Sequence, residues 1–186
     1  MTTVIEQSRA EHRNFQAILH LICLHVKMSE PTDASACRFL ANAVLYMQEY
    51  GDGIHHERDR LLLSKLVAAD PSMVTTFQRL QALRQELRHT EIELQRLVAR
   101  AKGGDEDACE QLRGLVGQYR ENYMAYITLE EHVVFPAAQA VFRVQDWKEL
   151  SERFVHVRDP IFDHASLMEF SSPYDAIMAF DGGALD

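Results

Sequence analysis

Two segments of the chain place a potential metal ligand four residues before a carboxylate. The first runs from His55 to Asp59 and the second from Tyr126 to Glu130. Both segments lie in long stretches with helical apolar periodicity, and residues i and i+4 share one face of a helix. Each segment can therefore direct an imidazole or a phenol, together with a carboxylate, at one interior point. A buried carboxylate requires a cation or a hydrogen-bonding partner, so both segments are candidates for metal binding.

Two further histidines extend this ligand set to four helices. His12 lies on the helix before His55, and His89 lies on the helix between His55 and Tyr126. This combination predicts a dinuclear metal site inside a four-helix bundle. Counted from the connecting turns, His12 and His55 lie at similar levels, whereas Asp59 and His89 differ by about two helical turns. The site therefore requires tilted helices or irregular turns.

Neighbouring residues compete for some of these roles. His56 is the alternative to His55, and the glycines at 51 and 53 leave the phase of this helix open because they predict a bulge or a kink. Glu93 is a second-tier candidate ligand, and its alternative is a salt-bridged surface residue. Glu131 lies on the next face from Glu130 and is expected to pair with a base.

Prolines and glycines divide the chain into four long helices. We expect these at about residues 5–27, 34–68, 71–102 and 106–142, with a kink at Pro136 and a short fifth helix at 146–155. The pattern predicts an all-α, up-down-up-down four-helix bundle. It also predicts a bundle domain at 1–163 and a C-terminal tail at 164–186. Beyond Pro160 the weak pattern indicates a loop, with room for one short helix.

Composition excludes several classes of function. The formal net charge is −9 and no basic cluster is present, so we expect no nucleic-acid partner. No apolar run is long enough to predict a membrane partner, and no secretory signal is recognisable. Three widely spaced cysteines indicate free thiols in a reducing compartment. We therefore expect a cytoplasmic protein, and self-association into a homodimer is left open.

Several motifs follow one another in order over about residues 8–163. They are Glu11-His12-Arg13, residues 50–60 with the core His55-His56-Glu57-Arg58-Asp59, His89, residues 123–136 ending in Glu130-Glu131-His132-Val133-Val134-Phe135-Pro136, Asp146-Trp147, and Arg158-Asp159-Pro160-Ile161-Phe162. No single motif is decisive, but in their order and spacing they resemble the hemerythrin-like HHE cation-binding family.

This resemblance implies a bundle that holds two non-haem iron ions. Asp59 and Glu130 would bridge the two ions. His12 and His55 would hold one iron, and His89 and residue 126 would hold the other. Imidazole and carboxylate ligands also suit Mn and Zn, so ligand types alone do not select the metal.

The chain departs from the family pattern at two ligand positions. Asp59 stands where the family usually has Glu, and Tyr126 stands where it usually has His. A phenolate favours Fe(III) over Fe(II), which argues against simple oxygen transport. Alternatively, Tyr126 does not bind the metal but remains an uncharged phenol, whose hydroxyl donates a hydrogen bond to Asp59 or to a metal-bound water.

Three functions are compatible with this sequence. The first is a di-iron protein that binds or reacts with O2, NO or peroxide as a sensor, store or scavenger. The second is a non-catalytic, iron-responsive metal-binding module or a degenerate single-metal bundle. The third is a structural bundle with vestigial histidines. The sequence does not decide whether the protein is an enzyme.

Overall fold

The computed structural model describes residues 3–28, 33–154, 157–180 and 182. Within these ranges the chain is helical and contains no strand. The α-helices are α1 (Thr3–Met28), α2 (Ala34–Tyr46), α3 (His56–Ala69), α4 (Val74–Lys102), α5 (Glu106–Leu129), α6 (Phe135–Val141), α7 (Val144–Arg153), α8 (His164–Glu169) and α9 (Pro173–Ala179). Two π-helical segments join α2 to α3 (Met47–His55) and α5 to α6 (Glu130–Val134), and a 3₁₀ turn at Pro71–Met73 precedes α4.

Each of the four predicted long helices has a counterpart, but two of them are interrupted. The predicted bulge near residues 51–53 is confirmed by the first π-helical segment, in which the amide of His56 donates to the carbonyl of Gly51. The second π-helical segment begins at Glu130 and was not predicted. Pro136 lies in the first turn of α6, directly after this segment. Because proline has no N–H, it cannot continue the hydrogen-bond ladder of the preceding helical turn.

The starts of several helices follow from side-chain caps. Asp33 accepts from the amide of Ser35 at the start of α2, and Asp105 accepts from the amide of Ala108 at the start of α5. Such caps satisfy amides that have no partner within the helix. Residues 29–32, between the first two predicted helices, lie outside the described residues, and so does residue 155 at the end of the predicted fifth helix.

The core forms where the apolar faces of the long helices meet. Phe15, Ile18 and Ile22 of α1 are fully buried, and so are Leu87 of α4 and Tyr119 of α5. The three residues of α1 are spaced three and four positions apart, which keeps one face of the helix towards the core. The site described below lies in the middle of this core, so its polar groups are withdrawn from bulk water.

The C-terminal segment packs on the bundle as two short helices. The side-chain amide of Asn42 on α2 donates to the carbonyl of Ile177 on α9 at 2.9 Å, and Phe39 stacks on Tyr174 at 4.9 Å between ring centroids. The expectation of a loop with one short helix beyond Pro160 is therefore corrected to α8 and α9. The predicted domain boundary at residue 163 stays a prediction. No helix in the described ranges is both long and apolar enough to cross a lipid bilayer.

Candidate metal centre

The structure brings His12, His55 and Glu130 together in the core. One potential ligand atom from each lies within 4.8 Å of the other two, and all three residues are buried. His12 Nε2 lies 3.1 Å from Glu130 Oε2, and His55 Nε2 lies 3.9 Å from the same oxygen. Asp59 adds a second carboxylate, because its Oδ2 lies 3.1 Å from His55 Nε2. Two imidazoles and two carboxylates thus converge on one small interior volume.

The two π-helical segments supply candidate ligands at their ends. His55 is the last residue of the first segment, and Glu130 is the first residue of the second. A π-helical turn contains an extra residue, which rotates the following side chains around the helix axis. Both His55 and His56 are consequently buried, although adjacent residues of a regular helix point about 100° apart.

Carboxylates hold the outer nitrogens of the buried imidazoles. His12 Nδ1 lies 2.9 Å from Glu131 Oε1, and His55 Nδ1 lies 2.7 Å from Glu11 Oε2. A carboxylate accepts the Nδ1 proton of a neutral imidazole and leaves the lone pair of Nε2 free. Such partners orient histidines that bind metals and increase their basicity. His12 and His55 therefore both present Nε2 to the interior.

Glu11 is ionised at neutral pH. Burial opposes its ionisation, but the hydrogen bond from His55 and the charge of Arg58 outweigh burial and lower the pKa of Glu11 to about 2. Arg58 Nη2 lies 2.7 Å from Glu11 Oε1, and the Tyr50 hydroxyl donates to the same oxygen at 3.3 Å. This network fixes the position of the carboxylate behind His55.

The inner groups carry an electrostatic imbalance. Burial lowers the pKa of His55 to about 3, so its imidazole is neutral. Burial raises the pKa of Glu130 to about 8, and burial and then the charge of Glu130 raise the pKa of Asp59. The Nε2 atom of neutral His55 and the carboxylate oxygens are all acceptors, so their close approach requires a cation or shared protons. Glu130 Oε1 is also buried without a hydrogen-bond partner. These residues fit a metal ion.

Tyr126 lies beside this cluster as a hydrogen-bond donor. Its hydroxyl donates to Asp59 Oδ2 at 3.3 Å. Burial, followed by the charges of Glu130 and Asp59, raises its pKa well above the ordinary value of 10. The described geometry therefore matches the second alternative from the sequence, in which Tyr126 is an uncharged phenol that donates a hydrogen bond to Asp59.

The structure does not bring His89 into the cluster, which corrects the sequence-based assignment. Leu87, Thr90, Glu91 and Leu94 form the buried face of α4, and His89 is exposed. The spacing explains this result, because a residue two positions from Leu87 points to the opposite side of a helix.

The two second-tier candidates have different outcomes. Glu93 forms an ion pair with Arg96 at 2.5 Å on the outer face of α4, as its surface alternative predicted. His56 is buried, and its Nδ1 lies 2.6 Å from Asp52 Oδ1. Its ring lies 4.6 Å from the ring of Tyr126 between centroids, so His56 borders the cluster on the side of Tyr126.

The supporting carboxylates were largely missed by sequence reasoning. Asp52 and His56 have the i,i+4 spacing that could have revealed their contact. Glu11 precedes His12 in the chain but contacts His55 instead, and no spacing rule signals a pairing between different helices. Glu131 was expected to pair with a base, and the structure shows that this base is His12.

The comparisons with known proteins agree with this geometry. A family model described as the hemerythrin HHE cation-binding domain matches residues 3–138. No curated protein and no solved structure matches the chain. The matched range covers well over half of the chain and includes His12, His55, Asp59 and Glu130. The chain therefore belongs to the hemerythrin HHE cation-binding domain family, whose members bind metal cations.

Proposed function

We propose that this protein is a non-haem di-iron protein that binds or reacts with O2, NO or peroxide as a sensor, store or scavenger. The observation that carries the proposal is the convergence of the Nε2 atoms of His12 and His55 on Glu130 and Asp59. We further propose that α1, α2–α3, α4 and α5–α6 form the four arms of an up-down-up-down bundle around this centre.

His12, His55, Asp59 and Glu130 are the residues proposed to hold the metal. Bound iron would supply redox chemistry towards a small oxidant, which the side chains alone do not offer. The chain itself excludes bulk water, because each of these four residues is at most 2% exposed. Glu131 and Glu11 hold the two imidazoles, and Tyr126 holds Asp59 by a hydrogen bond.

A second function has specific support and is the alternative. His89 points away from the cluster, and Tyr126 donates to Asp59. A second metal ion would therefore have fewer nitrogen ligands than the first. This asymmetry favours a single-metal, non-catalytic module in which the ion stabilises the fold and signals its presence to a partner.

The proposed ligands are small, and the proposed location is the cytoplasm. The cluster lies in a closely packed core, which suits diatomic molecules and peroxide better than organic substrates. Cys23 and Cys109 form no disulfide within the described residues, which supports a reducing compartment.

Absorption spectroscopy distinguishes the two functions. The protein is loaded with iron, reduced without oxygen, and then exposed separately to O2, NO and hydrogen peroxide. The di-iron proposal predicts a new near-ultraviolet or visible band with at least one reagent. Zinc-loaded protein is the matched control and should give no band, because Zn²⁺ has no redox chemistry. A fully iron-loaded protein that responds to none of the three would support the non-catalytic module instead.

A further inference from the structure

A polar cleft between α3 and α4 leads to the buried ring of His56. Its volume is about 260 Å³, and its lining includes Tyr126. Three arginines (Arg60, Arg84 and Arg88) and one glutamate (Glu57) also line it. Their formal charges sum to +2, or to +1 when Asp52 is included, whose Oδ2 lies 3.1 Å from Arg88 Nε. The whole chain carries −9. The cleft is therefore a local positive site on an acidic protein, and such a site attracts anions.

His56 presents an unused acceptor to this cleft. The side chain is 1% exposed, and Asp52 accepts the proton of its Nδ1 at 2.6 Å. This arrangement leaves a lone pair on Nε2, which is buried and has no hydrogen-bond partner within the described structure. An unsatisfied buried acceptor is costly, so a donor group from a bound molecule would be stabilised there.

Arg84 presents an unused donor to the same cleft. Its Nη2 contacts the carbonyl of Asp52 and Oε1 of Glu57, both at 3.3 Å. Its Nε is buried and has no hydrogen-bond partner among the described residues. A guanidinium with a free N–H binds an anionic oxygen through a charge-assisted hydrogen bond. The cleft thus combines a cationic donor with a neutral acceptor.

We propose that this cleft is a binding site for a small oxyanion that retains a hydroxyl group, such as hydrogencarbonate or dihydrogen phosphate. The anionic oxygen binds Arg84, with Arg88 adding positive charge at the mouth. The hydroxyl of the anion donates to His56 Nε2. This site is separate from the His12–His55–Glu130 cluster, and its occupancy does not require a metal. Tyr126 borders both sites. An effect of the bound anion on the metal centre would presuppose the function proposed above.

Metal-free protein provides the direct test. Hydrogencarbonate and nitrate are planar monoanions of similar size, but only hydrogencarbonate carries a hydroxyl. Each is titrated separately, while NMR follows the side-chain signals of His56 and Arg84. We expect hydrogencarbonate to bind at least tenfold more tightly than nitrate. A parallel titration with inorganic phosphate identifies which hydroxylated oxyanion is preferred. Because no metal is present, failure of this test leaves the metal proposal untouched.

Two variants and a control assign the contacts. Arg84→Gln should weaken binding of hydrogencarbonate about tenfold or more, because a charge-assisted bond is lost. Arg96→Gln removes an exposed arginine of the same helix and should leave binding unchanged. His56→Phe should abolish the preference over nitrate, and circular dichroism checks that each variant remains folded. Equal affinity of the unaltered protein for both anions, or equal weakening by Arg84→Gln and Arg96→Gln, would overturn the proposal.

Discussion

At the scale of single residues, carboxylates determine how the buried imidazoles present their nitrogens. Glu131, Glu11 and Asp52 lie within 2.9 Å of Nδ1 of His12, His55 and His56, respectively. The Nε2 atoms of His12 and His55 lie next to the carboxylates of the candidate centre, and His56 lines the α3–α4 cleft. The same kind of carboxylate–imidazole contact therefore occurs at both proposed binding sites.

Replacing Glu131 tests whether the carboxylate next to His12 Nδ1 supports metal binding. Its side chain is 30% exposed, so the substitution leaves no buried charge unpaired. Glu131→Ala should weaken metal binding about tenfold, because His12 loses the partner that orients it. Competition with a chromophoric chelator measures the affinity. Glu121→Ala, at an exposed position of α5, is the control and should have no effect, and an equal effect of both variants would contradict the account.

Tyr126 has a defined role in the described geometry. Because its hydroxyl donates to Asp59 Oδ2, we expect it to support a ligand instead of binding iron itself. Tyr126→Phe should therefore leave the visible spectrum of the iron(III)-loaded protein unchanged. The spectra of both proteins are compared at equal iron content. Loss of a strong visible band in the variant would show that the phenolate binds iron directly.

At the scale of helices, the π-helical segments explain how the ligands are positioned. The glycines at 51 and 53 made the first segment predictable, since two glycines weaken a regular helix. The second segment, at 130–134, contains no glycine, and its signal in the sequence is Pro136, two residues later, for which a kink was predicted. Single-helix spacing therefore predicted the pairing of His55 with Asp59, whereas the contact of Glu11 with His55 depends on how α1 packs against the first π segment.

The position of each candidate residue around its helix explains which of the predicted site residues are buried. Apolar periodicity placed His12, His55 and Glu130 on inward faces, and the structure buries all three. His89 was assigned from its residue type and not from its position relative to Leu87 and Leu94, and it is exposed. An explicit comparison of helix phase would have avoided this error.

Gly51 is required by packing in the first π-helical segment. It does not have a positive φ, but an added Cβ would lie 2.7 Å from the Tyr123 hydroxyl. Gly51→Ala should therefore lower the free energy of unfolding by about 1–3 kcal/mol, as measured by urea denaturation. The matched control is Gly53→Ala, where the nearest atom would be 3.9 Å away, and it should be neutral or stabilising by up to about 1 kcal/mol.

A double variant identifies the cause of this effect. Tyr123→Phe removes the hydroxyl that the new methyl group would meet. Combined with Gly51→Ala, it should restore most of the lost stability. If the double variant is no more stable than Gly51→Ala alone, the clash with Tyr123 is not the reason.

The contact between α4 and α5 contains a pH-sensitive group, Glu91. The Tyr119 hydroxyl donates to Glu91 Oε1 at 2.6 Å, and burial raises the pKa of Glu91 from 4.5 to about 8. The folded protein therefore binds more protons than the unfolded chain between these values. The stability contributed by protonated Glu91 is complete below about pH 4.5 and is lost as the pH rises through about 8.

Glu91→Gln isolates this effect, because the amide can still accept from Tyr119. The variant and the unaltered protein, both metal-free, should have similar unfolding free energies at pH 5. At pH 9 the variant should be more stable by an amount on the order of a few kcal/mol. Urea denaturation across this range measures the difference, and Glu86→Gln, at an exposed position of α4, should show none. A difference that does not grow with pH would contradict the assignment.

At the scale of the whole molecule, the fold surrounds a polar centre with an apolar core. The cluster of His12, His55, Asp59 and Glu130 is withdrawn from water, and its carboxylates have raised pKa values mainly because they are buried. A bound cation would offset this cost, so metal binding and folding are coupled. Metal should accordingly protect the whole protein from unfolding, not only the residues that contact it.

Iron content after reconstitution tests the central claim most directly. Elemental analysis should find close to two iron ions per chain in the unaltered protein. Glu130→Ala should lose most of this iron, because Glu130 faces both His12 and His55. Exposed Glu121→Ala should retain it. An unaltered protein that remains folded but holds no stoichiometric metal, or a Glu130→Ala variant with undiminished iron, would contradict a metal centre at this cluster.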